Sequence, residues 1–318
     1  MGLLIEGFWR DKWYDTEAND GAFKRGESEF RDWVSADPAA RFKAEPGRYH
    51  LYVSYACPWA HRTLILRALK GLEKIVTVSV VSPRMGNNGW EFSDFPGMVP
   101  DDVNGARYLH QIYTKAKPDH TGRVTVPVLW DRKEETIVSN ESAEIIRMLN
   151  SAFDGVGGNS DVDMYPEELR EEIDAINAPV YDHVNNGVYK TGFATKQEAY
   201  EEAYGKLFET LDMLEDRLSH QRYLAGDRLT EADWRLFTTL VRFDPVYHGH
   251  FKCNRQKLSE FHNLWNYTLD LYQTPGVAET VHLDHIQTHY YWSHPQVNPT
   301  RIVPAGPAID YSQPHDRG

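Results

Sequence analysis

Residues 49–72, YHLYVSYACPWAHRTLILRALKGL, decide how the chain is to be read. Residues 49–54 are aromatic and branched, which predicts a strand. Pro58 follows almost at once, and a proline there suits the first turn of a helix, where its missing N–H needs no partner. Along that helix Arg62, Thr63, Arg67 and Lys70 share one side, leaving Leu64, Leu66, Ala68 and Leu69 for the core. His61 and Arg62 are expected to face solvent or a neighbouring domain and are given no chemistry. A second strand is expected at residues 75–81 (IVTVSVV), which completes a βαβ unit of ordinary size.

Beyond an irregular stretch at 82–122, residues 124–129 and 136–138 read as short strands and 140–149 as a helix. The order β-α-β, then β-β-α, predicts a thioredoxin-like α/β domain over 48–153, preceded by an aromatic-rich extension at 1–47. The Gly- and Asp-rich run at 151–163 reads as a linker. After it, apolar residues recur at helical spacing through 167–186, 196–218, 230–243 and 257–272, so 164–318 is expected to be all-α, with a mobile tail after Pro295. Thr230 and Asp233 have the spacing of a capping box.

A length of 318 residues fits two domains at about 100–200 residues each. The net charge, 34 minus 47, is -13, which argues against nucleic acid as a partner because phosphate neutralisation needs a basic surface. No signal-like start and no apolar run of about 18 residues is present, so a cytoplasmic protein without a membrane span is expected. Two cysteines suit a reducing compartment.

Cys57 stands between the first strand and the helix, where unpaired N–H groups and the helix dipole favour a thiolate. Burial is the common fate of a lone thiol, but this position favours a nucleophile. Ala60 occupies the place of a resolving cysteine, so any disulfide made by Cys57 must be mixed. Val126-Pro127 is either an edge-strand proline or a cis bond that turns the backbone of Val126 toward the cysteine. Asn140-Glu141-Ser142 is either a simple cap or an anion site, with Ser142 for a carboxylate and Glu141 for an ammonium. Together these would fit glutathione, a tripeptide with a thiol, carboxylates and one amine. Cys253 is read as structural. His282, His285, His289 and His294 lack the carboxylate of a metalloprotease pattern, and no metal is expected.

The chain resembles the Xi class of glutathione transferases, the glutathionyl-hydroquinone reductases, nearly end to end. The resemblance runs through FRDW (30–33), SYACPWAHR (54–62), NESAE (140–144), NNGVYKTGF (185–193), RFDPVY (242–247), FKCN (251–254) and HYYWSH (289–294). It implies that Cys57 attacks the sulfur of a glutathionyl-hydroquinone, releasing hydroquinone and leaving a Cys57–glutathione mixed disulfide, which a second glutathione resolves. It places the glutathione site on Trp90, Arg123, Val126, Glu141 and Ser142, with Pro127 structural and Arg123 pairing a carboxylate. It places the aromatic substrate against Tyr189, Tyr247 and Tyr290, in a cleft between the domains of a homodimer's subunit. An Omega-like thioltransferase or dehydroascorbate reductase shares the cysteine without needing these tyrosines, and a non-catalytic binding module needs neither. Classical conjugation is disfavoured, because it needs a hydroxyl to hold the thiolate of glutathione.

Overall fold

The computed structural model describes residues 2–317. They form two compact units: one of residues 2–13, 26–163 and 280–293, the other of 14–25, 164–279 and 294–317. The extension is therefore shared between both units, and 280–293, expected with the helical domain, groups with the α/β part.

In the first unit, β3 (Tyr49–Val53) leads into α1 (Pro58–Leu69) and then β4 (Thr77–Val80), parallel to β3 with Leu51 opposite Val78. On the other side of β3 lie β6 (Val128–Asp131) and β7 (Thr136–Ser139), both antiparallel to their neighbours, giving the order β4-β3-β6-β7. The helix α3 (Ser142–Ser151) follows. Every residue of β3 and β6 is buried, as expected for strands covered on both faces. Buried Asp131 accepts from Arg48, with Nη2 at 2.5 Å and Nε at 3.0 Å.

Several expectations needed correction. The extension is not only a wrap: β1 (Leu3–Ile5) and β2 (Phe8–Arg10) form an antiparallel hairpin, and β1 also pairs with β5 (Gly122–Arg123). The stretch read as irregular contains α2 (Leu109–Ala116), with Leu109, Ile112 and Tyr113 buried. The strand expected from 124 begins only at Val128, beyond the cis Val126–Pro127 bond. His61 and Arg62, expected to face solvent or a neighbouring domain, are buried, as are Thr63 and Lys70 on the side expected to be polar, and each has a polar partner. His61 Nε2 lies 2.8 Å from Thr280 Oγ1, Thr63 donates to Ala60 O, and Lys70 Nζ reaches Asp154 and the Val162 carbonyl at 2.7 Å.

The second unit is helical: α4 (Arg170–Pro179), α5 (Gly187–Gly192), α6 (Gln197–His220), α7 (Glu231–Leu240), the single turn α8 (His248–His250) and α9 (His262–Tyr272). The run expected as one helix over 167–186 widens at Val180–Asn185 into a π-helix, directly after Pro179; a second π segment, Phe243–Tyr247, contains Pro245. A proline lacks the N–H for the ordinary i→i−4 bond, which favours such a local change of pitch. The Thr230–Asp233 capping box is present. The tail is docked instead of loose: Tyr311 is buried and donates to Val241 O at 2.9 Å.

Candidate active site

Cys57 is the N-cap of α1, with extended backbone (φ −77°, ψ 122°) and Pro58 as the first helical residue. Its N–H donates to Ser54 O at 3.1 Å, and its own carbonyl accepts the first helical bond from His61. The side chain is half-buried, and Sγ lies 3.4 Å from the carbonyl oxygen of Val126, whose bond to Pro127 is cis. Helix start and strand lead-in thus meet at one sulfur.

The other edge of this site is the start of α3. Glu141 is the N-cap: its Oε1 accepts from Ala143 N at 3.1 Å. Its Oε2 accepts from Ser28 Oγ of the extension at 3.0 Å. Ser142 is buried and accepts from Arg62 Nη1 at 3.4 Å, while the Arg62 guanidinium lies 4.5 Å from the Trp59 ring centroid. A cation therefore stands beside the N-terminus of α3, a placement not expected from the sequence, which gave Arg62 no chemistry. Arg123 donates to the carbonyls of Lys12 and Trp13, at 3.1 Å for the second, so here it secures the extension.

A second residue missed in the sequence is Tyr113 of α2. Its hydroxyl donates to Thr125 O at 2.8 Å and accepts from Thr125 N and Asn140 Nδ2, both at 3.2 Å. One phenol thereby ties the segment before Pro127 to the cap of α3. Its signal was the apolar spacing Leu109, Ile112, Tyr113 within a stretch dominated by turns.

Trp90 is buried at 4% exposure, with its ring stacked on His289 (4.7 Å between centroids, 22° between planes). His289 belongs to α10 (Leu283–Ser293), a helix not anticipated from the sequence, whose Tyr290 is also buried. Tyr189 and Tyr247 are brought together in the second unit, with ring centroids 6.0 Å apart. Tyr189 is half-buried, whereas Tyr247 is fully buried and lies flat against Phe251 at 5.6 Å. Each of these two tyrosines ends or follows one of the π segments, a local geometry often found at functional sites. Cys253 is fully buried, and burial pushes its thiol up from the usual range. Among the described residues, no group of three metal-ligating side chains occurs and no helix is long and apolar enough to cross a membrane.

A thiol at the start of α1, a cis-proline lead-in and the capped helix α3, followed by an all-helical part, define a glutathione transferase architecture. Residues 56–152 match the glutathione S-transferase N-terminal domain, and 197–268 match the C-terminal domain. The chain is 58% identical over 308 residues to glutathionyl-hydroquinone reductase PcpF of Sphingobium chlorophenolicum, covering 97% of both. It is 56% identical to glutathionyl-hydroquinone reductase YqjG of Escherichia coli, covering 100% of this chain and 98% of that one. The glutathione-bound structure of YqjG superposes with a TM-score of 0.91 at 54% identity, covering 99% of each chain. A Xi class transferase from Natrialba magadii gives 0.93 at 54% identity, over 100% of this chain and 96% of that one. The chain belongs to the glutathionyl-hydroquinone reductases, the Xi class of the glutathione transferase family.

Proposed function

We infer that the protein reduces glutathionyl-hydroquinones with glutathione, through Cys57. The observation that carries this reading is the half-buried Cys57 Sγ at the start of α1, 3.4 Å from Val126 O, in a chain 56–58% identical to two glutathionyl-hydroquinone reductases. The Cys57 thiolate attacks the sulfur that joins glutathione to the aromatic ring. The new S–S bond forms as the C–S bond breaks, and the electron pair left on the ring carbon takes up a proton, giving hydroquinone. The thiolate of a second glutathione then attacks the glutathionyl sulfur of the mixed disulfide, which regenerates Cys57 and gives oxidised glutathione. In sum, one aryl thioether and one thiol become one arene C–H and one disulfide.

Within this reading the start of α3 receives a carboxylate of glutathione at Ser142, with the Arg62 charge behind it. Glu141 receives the ammonium, the Val126 backbone pairs with the peptide, and the edge of Trp90 bounds the site. Arg123 serves by fixing the extension. The resemblance assigns the aromatic substrate to Tyr189, Tyr247 and Tyr290, of which Tyr189 and Tyr247 are neighbours in the second unit. A homodimer in a reducing cytoplasm, where both thiols persist, completes the proposal.

The test is single-turnover mixing with a glutathionyl-hydroquinone, following free hydroquinone and intact protein mass. Wild type is expected to release hydroquinone and gain one glutathione, and Cys57→Ser to do neither. Capture of glutathione from disulfides but never from the thioether would instead identify an Omega-like thioltransferase.

A further inference from the structure

His282, just before α10, and His285 and His289 within it have no role in the chemistry above, yet each is held by the rest of the first unit. His285 Nε2 lies 2.6 Å from Pro96 O, His289 Nδ1 lies 2.9 Å from Pro83 O, and His282 stacks on Tyr55 at 3.6 Å. Because a carbonyl can only accept, Nδ1 of His289 carries a proton, and its ring plane is fixed against the face of Trp90.

The turn that delivers Trp90 is held from the opposite end of the chain. Gly89 N donates to Gly86 O at 3.0 Å to close it, and Trp9 of β2 donates from Nε1 to Asn87 O at 2.8 Å. Gly89 has φ +74°, and a Cβ there would lie 2.6 Å from Trp9 Cη2, so the glycine is what lets the Trp9 ring sit on the turn. Trp9 itself is fixed by the β1–β2 pairing and by stacking on His110 at 5.0 Å.

We propose that Trp9 and His289 are positioning residues that hold the turn of Asn88, Gly89 and Trp90 in its glutathione-binding form. This rests on the reading of Trp90 as part of the glutathione site. The hairpin fixes the backbone of the turn and the helix fixes the orientation of the ring, so the two ends of the first unit converge on one ligand contact.

Trp9→Leu, His289→Ala, His289→Phe and Trp90→Ala are titrated with glutathione by calorimetry, and kcat and KM are measured with a glutathionyl-hydroquinone. Trp90→Ala is expected to weaken glutathione binding about tenfold or more, and Trp9→Leu and His289→Ala about three- to tenfold, the range of an aromatic stacking contact. The two positioning variants raise KM for glutathione with kcat held within about twofold. His289→Phe retains a flat ring, and Pro83 O still accepts from Ser293 Oγ at 3.1 Å, so this variant binds like wild type. Unchanged affinity in Trp9→Leu and His289→Ala beside a weakened Trp90→Ala overturns the positioning role alone. An unchanged Trp90→Ala overturns the glutathione assignment beneath it. A His289→Phe variant as weak as His289→Ala overturns the stacking argument.

Discussion

The two cysteines are the same side chain in two opposite settings. Cys57 is half-buried at a helix start, with its sulfur against a backbone carbonyl of the segment before a cis-proline. Cys253 is fully buried, its Sγ 4.0 Å from Val188 O and 3.9 Å from Phe251 O, and desolvation raises its thiol above the ordinary value. Helix N-termini stabilise thiolates and apolar interiors oppose them, so position alone divides a candidate nucleophile from an inert packing group.

The largest expected consequence is in alkylation. Iodoacetamide at neutral pH should modify Cys57 on the order of 10³-fold faster than Cys253 or more, because Cys253 reacts only after local unfolding. Mass spectrometry of the native and denatured protein checks this. Comparable rates would mean that the second unit opens freely around Cys253 and would break the comparison.

The same contrast of exposure divides the tyrosines. Tyr189 is half-buried, whereas Tyr247 is fully buried and stacked on Phe251. Tyr189→Phe is therefore expected to lower the single-turnover rate of hydroquinone release about 10²-fold, the scale of a lost proton donor, with glutathione capture from a disulfide unaffected. Tyr247→Phe is expected to cost less, since Tyr247 is fully buried. Equal losses would assign the buried hydroxyl a direct part in the reaction.

What the sequence made legible follows the same physical line. The β3-α1-β4 unit and the Thr230–Asp233 cap were readable because strand composition, proline placement and side-chain spacing agree there. The placement of Cys57 at a helix start, of Val126-Pro127 before a strand and of Glu141-Ser142 at the start of α3 was readable because each lies at an element boundary. The burial of Arg62 and the individual helix α10 were not legible for one reason: their polar groups are buried against partners distant in sequence, which pattern alone does not show. The hairpin of β1 and β2 has only three residues per strand, too few for alternation to register.

Burial of His250 in the second unit predicts a response to acid. His250 is buried beside His294, with Nε2 3.2 Å from Nδ1 of its neighbour, and desolvation aided by Lys252 lowers its pKa from 6.5 to about 4. Between these values the unfolded chain binds a proton at this position that the native state refuses, so stability falls as pH drops below about 6.5 and this loss ends near 4. At about pH 5 the linkage amounts to about 2 kcal/mol. His250→Gln removes the titrating group, so its stability in urea, relative to wild type, should improve by about that amount between about pH 7 and pH 5. A difference between the two proteins that stays constant with pH would place the acid sensitivity elsewhere, with His50 the first alternative. That residue is buried in the first unit between Thr77 Oγ1 and Ser79 Oγ, and its pKa is likewise lowered to about 4. Repeating the measurement with His50→Gln would then show which unit yields first to acid.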